Sequence, residues 1–339
     1  DDRFHNDCKG VLYSNISFSG SYNIGHIKID AAESVGNVKP YIVIYDNQLQ
    51  KSHSSMELVK IGDGEILKQL KNILSYALDA VFDEEKNVIE RICQKKDGGR
   101  SIYPLPSEFI NGTLEMGKSV PESEIQFCIN FFDHLMGLKR DDYNNILNCI
   151  VAYNASIRLL ADDVSLAYSM LVYCLESLSQ SYDLYTPVWE DYKEDKKNAL
   201  EKAFEGINEE SVEKIKKILL KDEHLKLSKR FIGFVEKQVN DDFFMYDKNR
   251  MIVSKEEFSI ALTNAYNIRS QYAHMLKPLI KHLRMSEFSL SKDIFEYQHN
   301  VFFTYSGLLR VVRTVINNFT FSLPQVEFEK FDWRGSIPG

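Results

Sequence analysis

From Val164 the chain reads VSLAYSMLVYCLESL, fifteen residues apolar on nearly every side of a helix, with Glu176 as the single charge. A helix without a polar face is stable only when other elements surround it. This stretch, about 163–181 with its flanks, therefore requires a bundle with itself at the centre. Candidate neighbours are visible on both sides. Pro121 suits the first turn of a helix carrying Ile125, Cys128, Ile129, Phe132 and Leu135. Helical patterns also cover about 141–160, 190–205, 210–220, 224–238, 254–285 and 294–320. Upstream, Ile66, Leu70, Ile73, Leu74, Ala77 and Val81 mark one face of a further helix from Asp63. Before that point the pattern is different. Val11 to Phe18 alternates, and Tyr41-Ile-Val-Ile-Tyr45 is a short buried-strand run. The expected class is mainly α, with a C-terminal helical bundle and a smaller β-containing N-terminal region. The expected divisions are a β-rich accessory region (1–62), a helical connector (63–160), a helical domain (161–322) and a tail (323–339).

Several functions are disfavoured by what the 339 residues carry. The formal charge of −8 argues against wrapping nucleic acid with the whole surface, although a local basic patch would suffice for a phosphate site. Five cysteines (Cys8, Cys93, Cys128, Cys149 and Cys174) are scattered without a CxxC pair, so buried free thiols and no structural metal are expected. The loop with Asp97-Gly-Gly99, Pro104 and Pro106 matches no phosphate-cradling motif, and no GxSxG is present, so no cofactor is expected. The Lys- and Glu-dense stretch from Glu190 to Lys237 interleaves its signs, as solvated helix faces do. Without an apolar run of about 18 residues or a charged-then-apolar leader, a cytoplasmic protein with no membrane contact is the expectation.

One residue contradicts its surroundings. Ser254 and Glu257 form a capping box, with Val253 and Phe258 as a hydrophobic staple, so a helix starts there. At about 100° per residue, Phe258, Leu262, Ala265, Tyr272 and Leu276 share one apolar stripe, and Arg269 sits in its middle. A charge facing a core must be paired or used. Glu176 on the central helix is the partner the sequence offers. The pair is either a plain salt bridge between packed helices or a device that holds a guanidinium for a ligand. His274 follows five residues later, about 140° around a straight helix, so it does not converge on Arg269. Pro278 removes the N–H that would bond the His274 carbonyl and crowds that oxygen, which predicts a kink there. Alternatively, the two side chains meet across a symmetric dimer. Lys277, Lys281, His282 and Arg284 cluster just beyond, with Arg310 and Arg313 on the last helix. This is either a phosphate-binding region or the ordinary preference for cations at a helix C-terminus.

The segment YNIRSQYAH (266–274), preceded by a helix ending LVYCLESLSQ and a charged helical region, resembles the Apea-like branch of the HEPN superfamily over roughly residues 160–320. Arg269, Ser270 and His274 match the family's Arg-x4–6-His hallmark with its polar residue after the arginine, and Tyr266-Asn267-Ile268 matches the usual lead-in. The resemblance implies an all-α domain and a metal-independent endoribonuclease, commonly a homodimer and often a toxin or an anti-phage defence protein. It further implies RNA as substrate, tRNA among the candidates, and a protein or phage-derived trigger. In that scheme His274 is the general acid or base and Arg269 binds phosphate. Ser270 and Glu176 support them, and Lys277, Lys281 and Arg284 hold RNA. The alternative is a non-catalytic HEPN module binding a nucleotide, RNA or a protein partner.

Overall fold

A computed structural model describes residues 3–4, 7–33, 36–46, 49–50, 63–95, 105–110, 112–182, 185–192, 194–220, 223–285 and 289–326. The Asp97–Gly99 loop, Pro104 and all of the tail beyond Val326 lie outside these. The N-terminal region contains β1 (Arg3–Phe4), β2 (Asp7–Ser14), β3 (Ile16–Ser17), β4 (Ser21–Ile24), β5 (Ile27–Ala31), β6 (Lys39–Asp46) and β7 (Leu49–Gln50). Next come α1 (Asp63–Ala77), β8 (Phe82–Asp83), α2 (Lys86–Ile92), β9 (Lys118–Ser119), α3 (Glu122–Met136) and α4 (Arg140–Leu159). The remainder comprises α5 (Val164–Tyr182), α6 (Glu194–Ala203), α7 (Glu209–Leu219), α8 (Glu223–Gln238), α9 (Lys255–Met275), β10 (Ile294–Tyr297), β11 (Asn300–Phe303) and α10 (Tyr305–Ser322). Helix dominates, as the periodicity requires.

The main sheet is antiparallel in the order β4-β5-β6-β2-β8. Alternation on β2 and β6 turns Cys8, Leu12, Tyr41, Val43 and Tyr45 inward, where Leu70, Ile73 and Leu74 of α1 meet them in one hydrophobic core. Asn15 ties the sheet to the loops beside it. Its amide donates to the carbonyls of Thr113 (3.0 Å) and Glu115 (2.9 Å), and its Oδ1 accepts from the Val81 N–H (2.8 Å).

α5 is central, packed against α4, α8, α9 and α10. Its small polar residues bond their own helix, Ser169 to the Ser165 carbonyl and Ser179 to the Glu176 carbonyl, so they can be buried without orphaned hydroxyls. All five cysteines are buried, and burial pushes Cys93 and Cys128 each up to about 12. Among the described residues no helix is long and apolar enough to cross a membrane.

Two expectations for the C-terminal half need correction. The helix expected over 254–285 stops at Met275. Leu276 adopts a left-handed conformation (φ 52°), and its N–H bonds the Tyr272 carbonyl at 2.9 Å. Pro278 thus follows a helix that has already ended and kinks nothing; a 3-10 turn, Lys281–Arg284, comes next. The helix expected over 294–320 is instead the β10–β11 ribbon followed by α10. The ribbon turns at Gln298 and His299, both left-handed (φ 49° and 61°), without the Asn-Gly that usually announces such a turn.

The ribbon is fixed from behind. The Asp293 carboxylate is fully buried, taking Arg250 Nε at 2.5 Å, two nitrogens of Arg310 and the Val253 N–H at 3.2 Å. Gly307 on α10 lies so close that a Cβ there would overlap the Asp293 carbonyl oxygen.

Candidate functional site

The helix that carries Arg269 begins as its sequence prescribes. Ser254 Oγ accepts from the Glu257 N–H at 3.2 Å, and the Glu257 carboxylate accepts from the Ser254 N–H at 3.1 Å. Phe258, Ala261, Leu262 and Ala265 are buried behind that cap, and Arg269 continues the same face toward α5.

Arg269 is 7% exposed and forms an ion pair with Glu176, itself 8% exposed. The guanidinium also lies over two rings, 5.0 Å from the centroid of Tyr173 and 4.8 Å from that of Tyr266. Cation–π contact of this kind stabilises a desolvated guanidinium. Burial pulls its pKa below the ordinary arginine value, and Tyr173 opposes the shift. Arginine has proton affinity to spare, so the group stays charged. Its Nε is buried and finds no acceptor among the described residues. Each tyrosine stands three residues before a member of the ion pair: Tyr266 before Arg269 and Tyr173 before Glu176. Three apart is a same-face helical spacing, and that signal was available.

The burial changes what Arg269 can touch. A phosphate approaching from solvent meets neither Nε nor the paired nitrogen. Lys277, Lys281 and Arg284, by contrast, are all exposed. Ser270 is half-buried beside Arg269. His274 is exposed in the last turn of α9, on a different side from Arg269, as the 140° offset requires. One chain does not bring Arg269 and His274 together.

Arg310 and Arg313 do not join the basic group. Arg310 is bound to Asp293 and the Phe243 carbonyl (3.0 Å), with its guanidinium 3.5 Å from the Phe243 ring centroid. Arg313 donates to the carbonyls of Tyr76 (2.7 Å) and Ala77 (3.3 Å) at the end of α1 and reaches Asp79 at 3.4 Å. Its pKa is raised, although burial opposes this, because Asp79, Tyr153 and Tyr76 surround it. Both arginines hold the fold.

An open groove of about 580 Å³ adjoins the end of α9, lined by Asp162, Asp163, Ser165, Tyr272, Leu276, Pro278 and Arg284. Its wall is tied down. The Tyr272 hydroxyl donates to Asp163 at 3.0 Å, which also raises the tyrosine pKa alongside burial. Asp163 caps α5 through the N–H groups of Ser165 and Leu166, and the Leu279 N–H bonds Ser165 Oγ at 3.1 Å. The segment leaving α9 is therefore anchored to the start of the central helix. Comparisons with protein-family models, with curated proteins and with solved structures found no match for this chain.

Proposed function

We propose that this chain is a metal-independent endoribonuclease of the HEPN type, toxin-like or acting in anti-phage defence. The observation that carries the reading is the separation of two roles over one helix end. A guanidinium is fixed in the interior at Arg269, and an imidazole is presented to solvent at His274 among exposed Lys277, Lys281 and Arg284. In the proposed reaction His274 takes the proton from a ribose 2′-OH as its oxygen attacks the adjacent phosphorus. The P–O5′ bond breaks, and the leaving 5′-oxygen gains a proton from a second acid. Products are a 2′,3′-cyclic phosphate and a 5′-hydroxyl, and DNA is spared for want of the 2′-OH. One chain offers a single His274, so a homodimer is the simplest source of the second acid. Lys277, Lys281 and Arg284 hold phosphates by charge. Arg269, paired with Glu176, fixes the helix that carries His274.

The enclosure of Arg269 favours a second reading: a non-catalytic module that binds nucleotide, RNA or a protein partner, with Arg269 serving α5–α9 packing alone. Incubation of the wild type and His274→Ala with a broad RNA set, tRNA included, in EDTA separates the two. The ribonuclease reading expects cyclic-phosphate ends from the wild type and at least a hundredfold loss in the variant. Intact RNA with the wild type sinks it, and equal cleavage by both proteins removes His274 from the mechanism.

A further inference from the structure

Helices α6 and α7 stand apart from the bundle. None of their residues is buried, and none of their apolar side chains belongs to the hydrophobic core or packs against it. Trp189 and Tyr192 moor them to the rest of the chain. The Trp189 ring meets the Phe204 ring at 6.0 Å and the Lys216 ammonium at 4.9 Å, and the Tyr192 hydroxyl donates to the Leu219 carbonyl at 2.8 Å. Lys216 and Leu219 thus mark the moored side of α7. Ser211, Ile215 and Ile218 follow one another at spacings of four and three, on a side of the helix turned about 100° away. Ile218 is 67% exposed, and Ile215 is half-buried. An amphipathic helix normally lays its apolar residues on a core. Among the described residues this one has no core beneath it.

Charge decides what kind of surface suits that side. From Glu194 to Leu219 the sequence carries seven acidic and six basic residues, a balance that favours neither a polyphosphate nor an anionic membrane. Within α7 the two signs separate. Glu209, Glu210 and Glu213 come first, and Lys214, Lys216 and Lys217 follow. Such a division suits the helix dipole, and it also governs pairing. A helix acidic at one end and basic at the other is complementary to its own reverse, and a two-fold axis between two copies supplies that reversal. Contacts within the helix leave these charges available. Lys214 and Glu210 pair at 2.6 Å with both side chains largely exposed, Lys216 and Glu213 are 3.9 Å apart, and Lys217 makes no ion pair among the described residues. Exposed pairs of this kind hold weakly and exchange partners at little cost. Lys221-Asp222-Glu223 brings both signs again, a full turn beyond Lys217.

We propose that α7 is a docking surface for a second copy of this chain, pairing antiparallel with the α7 of that copy about a two-fold axis. Ile215 lies beside the axis in this match, and Ile218 of each copy covers the small Ser211 of the other. Glu210 of each copy then stands against Lys217 of the other, so the same charge pair occurs twice. Parallel pairing would set Glu against Glu and Lys against Lys, and the repulsion rules it out. An eleven-residue helix is about 16 Å long, which makes a small contact. The dimer is therefore a reversible one, dissociating in the micromolar range. Nothing in this pairing depends on the ribonuclease reading or on His274.

The test is sedimentation velocity of the full chain from about 1 to about 100 µM, over which the species should move from monomer to dimer. Ile218→Glu changes an exposed position and should weaken association tenfold or more. Glu210→Lys and Lys217→Glu should each weaken self-association about tenfold, because each brings like charges together at two places. Mixed in equal amounts, these two defective variants should associate with one another within about threefold of the wild-type strength, since every charge again meets its opposite. Melting curves check that each variant folds. A chain that stays monomeric across the range overturns the proposal. So does a dimer indifferent to Ile218→Glu, which would be built on another surface, and so does a mixture that fails to associate. Each of these failures leaves the ribonuclease reading to its own test with RNA and His274→Ala.

Discussion

Two buried ionic centres sit in the same half of the molecule and are built differently. Around Asp293, Arg250, Arg310 and a backbone N–H converge on both carboxylate oxygens. At Arg269, one carboxylate and two tyrosine faces enclose a guanidinium whose Nε has no acceptor among the described residues. The first centre is saturated and joins the ribbon, α10 and the start of α9. The second is under-satisfied. A buried charge with every partner in place stabilises the fold more than one left short of partners.

The largest effect should come from the saturated centre. Asp293→Ala leaves two arginines facing each other without a carboxylate and should cost about 3–5 kcal/mol in urea unfolding. A loss under 1 kcal/mol would erase the contrast between the centres. At the other site the single change Glu176→Leu should be costly, because it strands Arg269. The double change Glu176→Leu with Arg269→Met should return to within about 1 kcal/mol of wild type, since apolar residues of similar volume often replace a buried pair without penalty. If the double variant is as unstable as Asp293→Ala, the Arg269 pair is structural after all. Under the ribonuclease reading, with Arg269 serving only to fix the helix that carries His274, that stable double variant should still cleave RNA.

A third ionic site, at the sheet, sharpens the point with pH. Asp83 is buried, which alone would raise its pKa, but Arg158 at 2.5 Å, the Glu85 N–H and Lys71 outweigh burial and hold the carboxyl below its ordinary value. A depressed folded pKa gives stability that is present above the ordinary carboxylate range and lost as pH falls through the lower value. Melting temperature measured from pH 7 down to pH 2.5 should therefore drop with an acid limb that Arg158→Met flattens. At pH 7 the same variant should lose about 2 kcal/mol, the net worth of a charged hydrogen bond. An unchanged acid limb would assign that limb to other carboxylates.

What the sequence disclosed follows from the range of the forces involved. The capping box at Ser254, the helix faces and the strands β2 and β6 depend on neighbours a few residues away, and they were readable. Glu176 was identifiable as the partner of Arg269 because only one charge interrupts VSLAYSMLVYCLESL. The Asp293 centre was not, because it joins positions 250, 293 and 310, and no local pattern requires them to meet. Phe295 to Phe303 reads as helix in the sequence because Gln298-His299 gives no turn signal, although its aromatic and β-branched residues favour strand. Pro278 marks a disruption in the sequence but not its form: Leu276 ends the helix before the proline is reached.

Gly307 has a mechanical consequence. Its backbone rests directly against Asp293, and any side chain there would pry the ribbon from α10. Gly307→Ala adds one methyl group, and that group meets backbone rather than a side chain that could move aside.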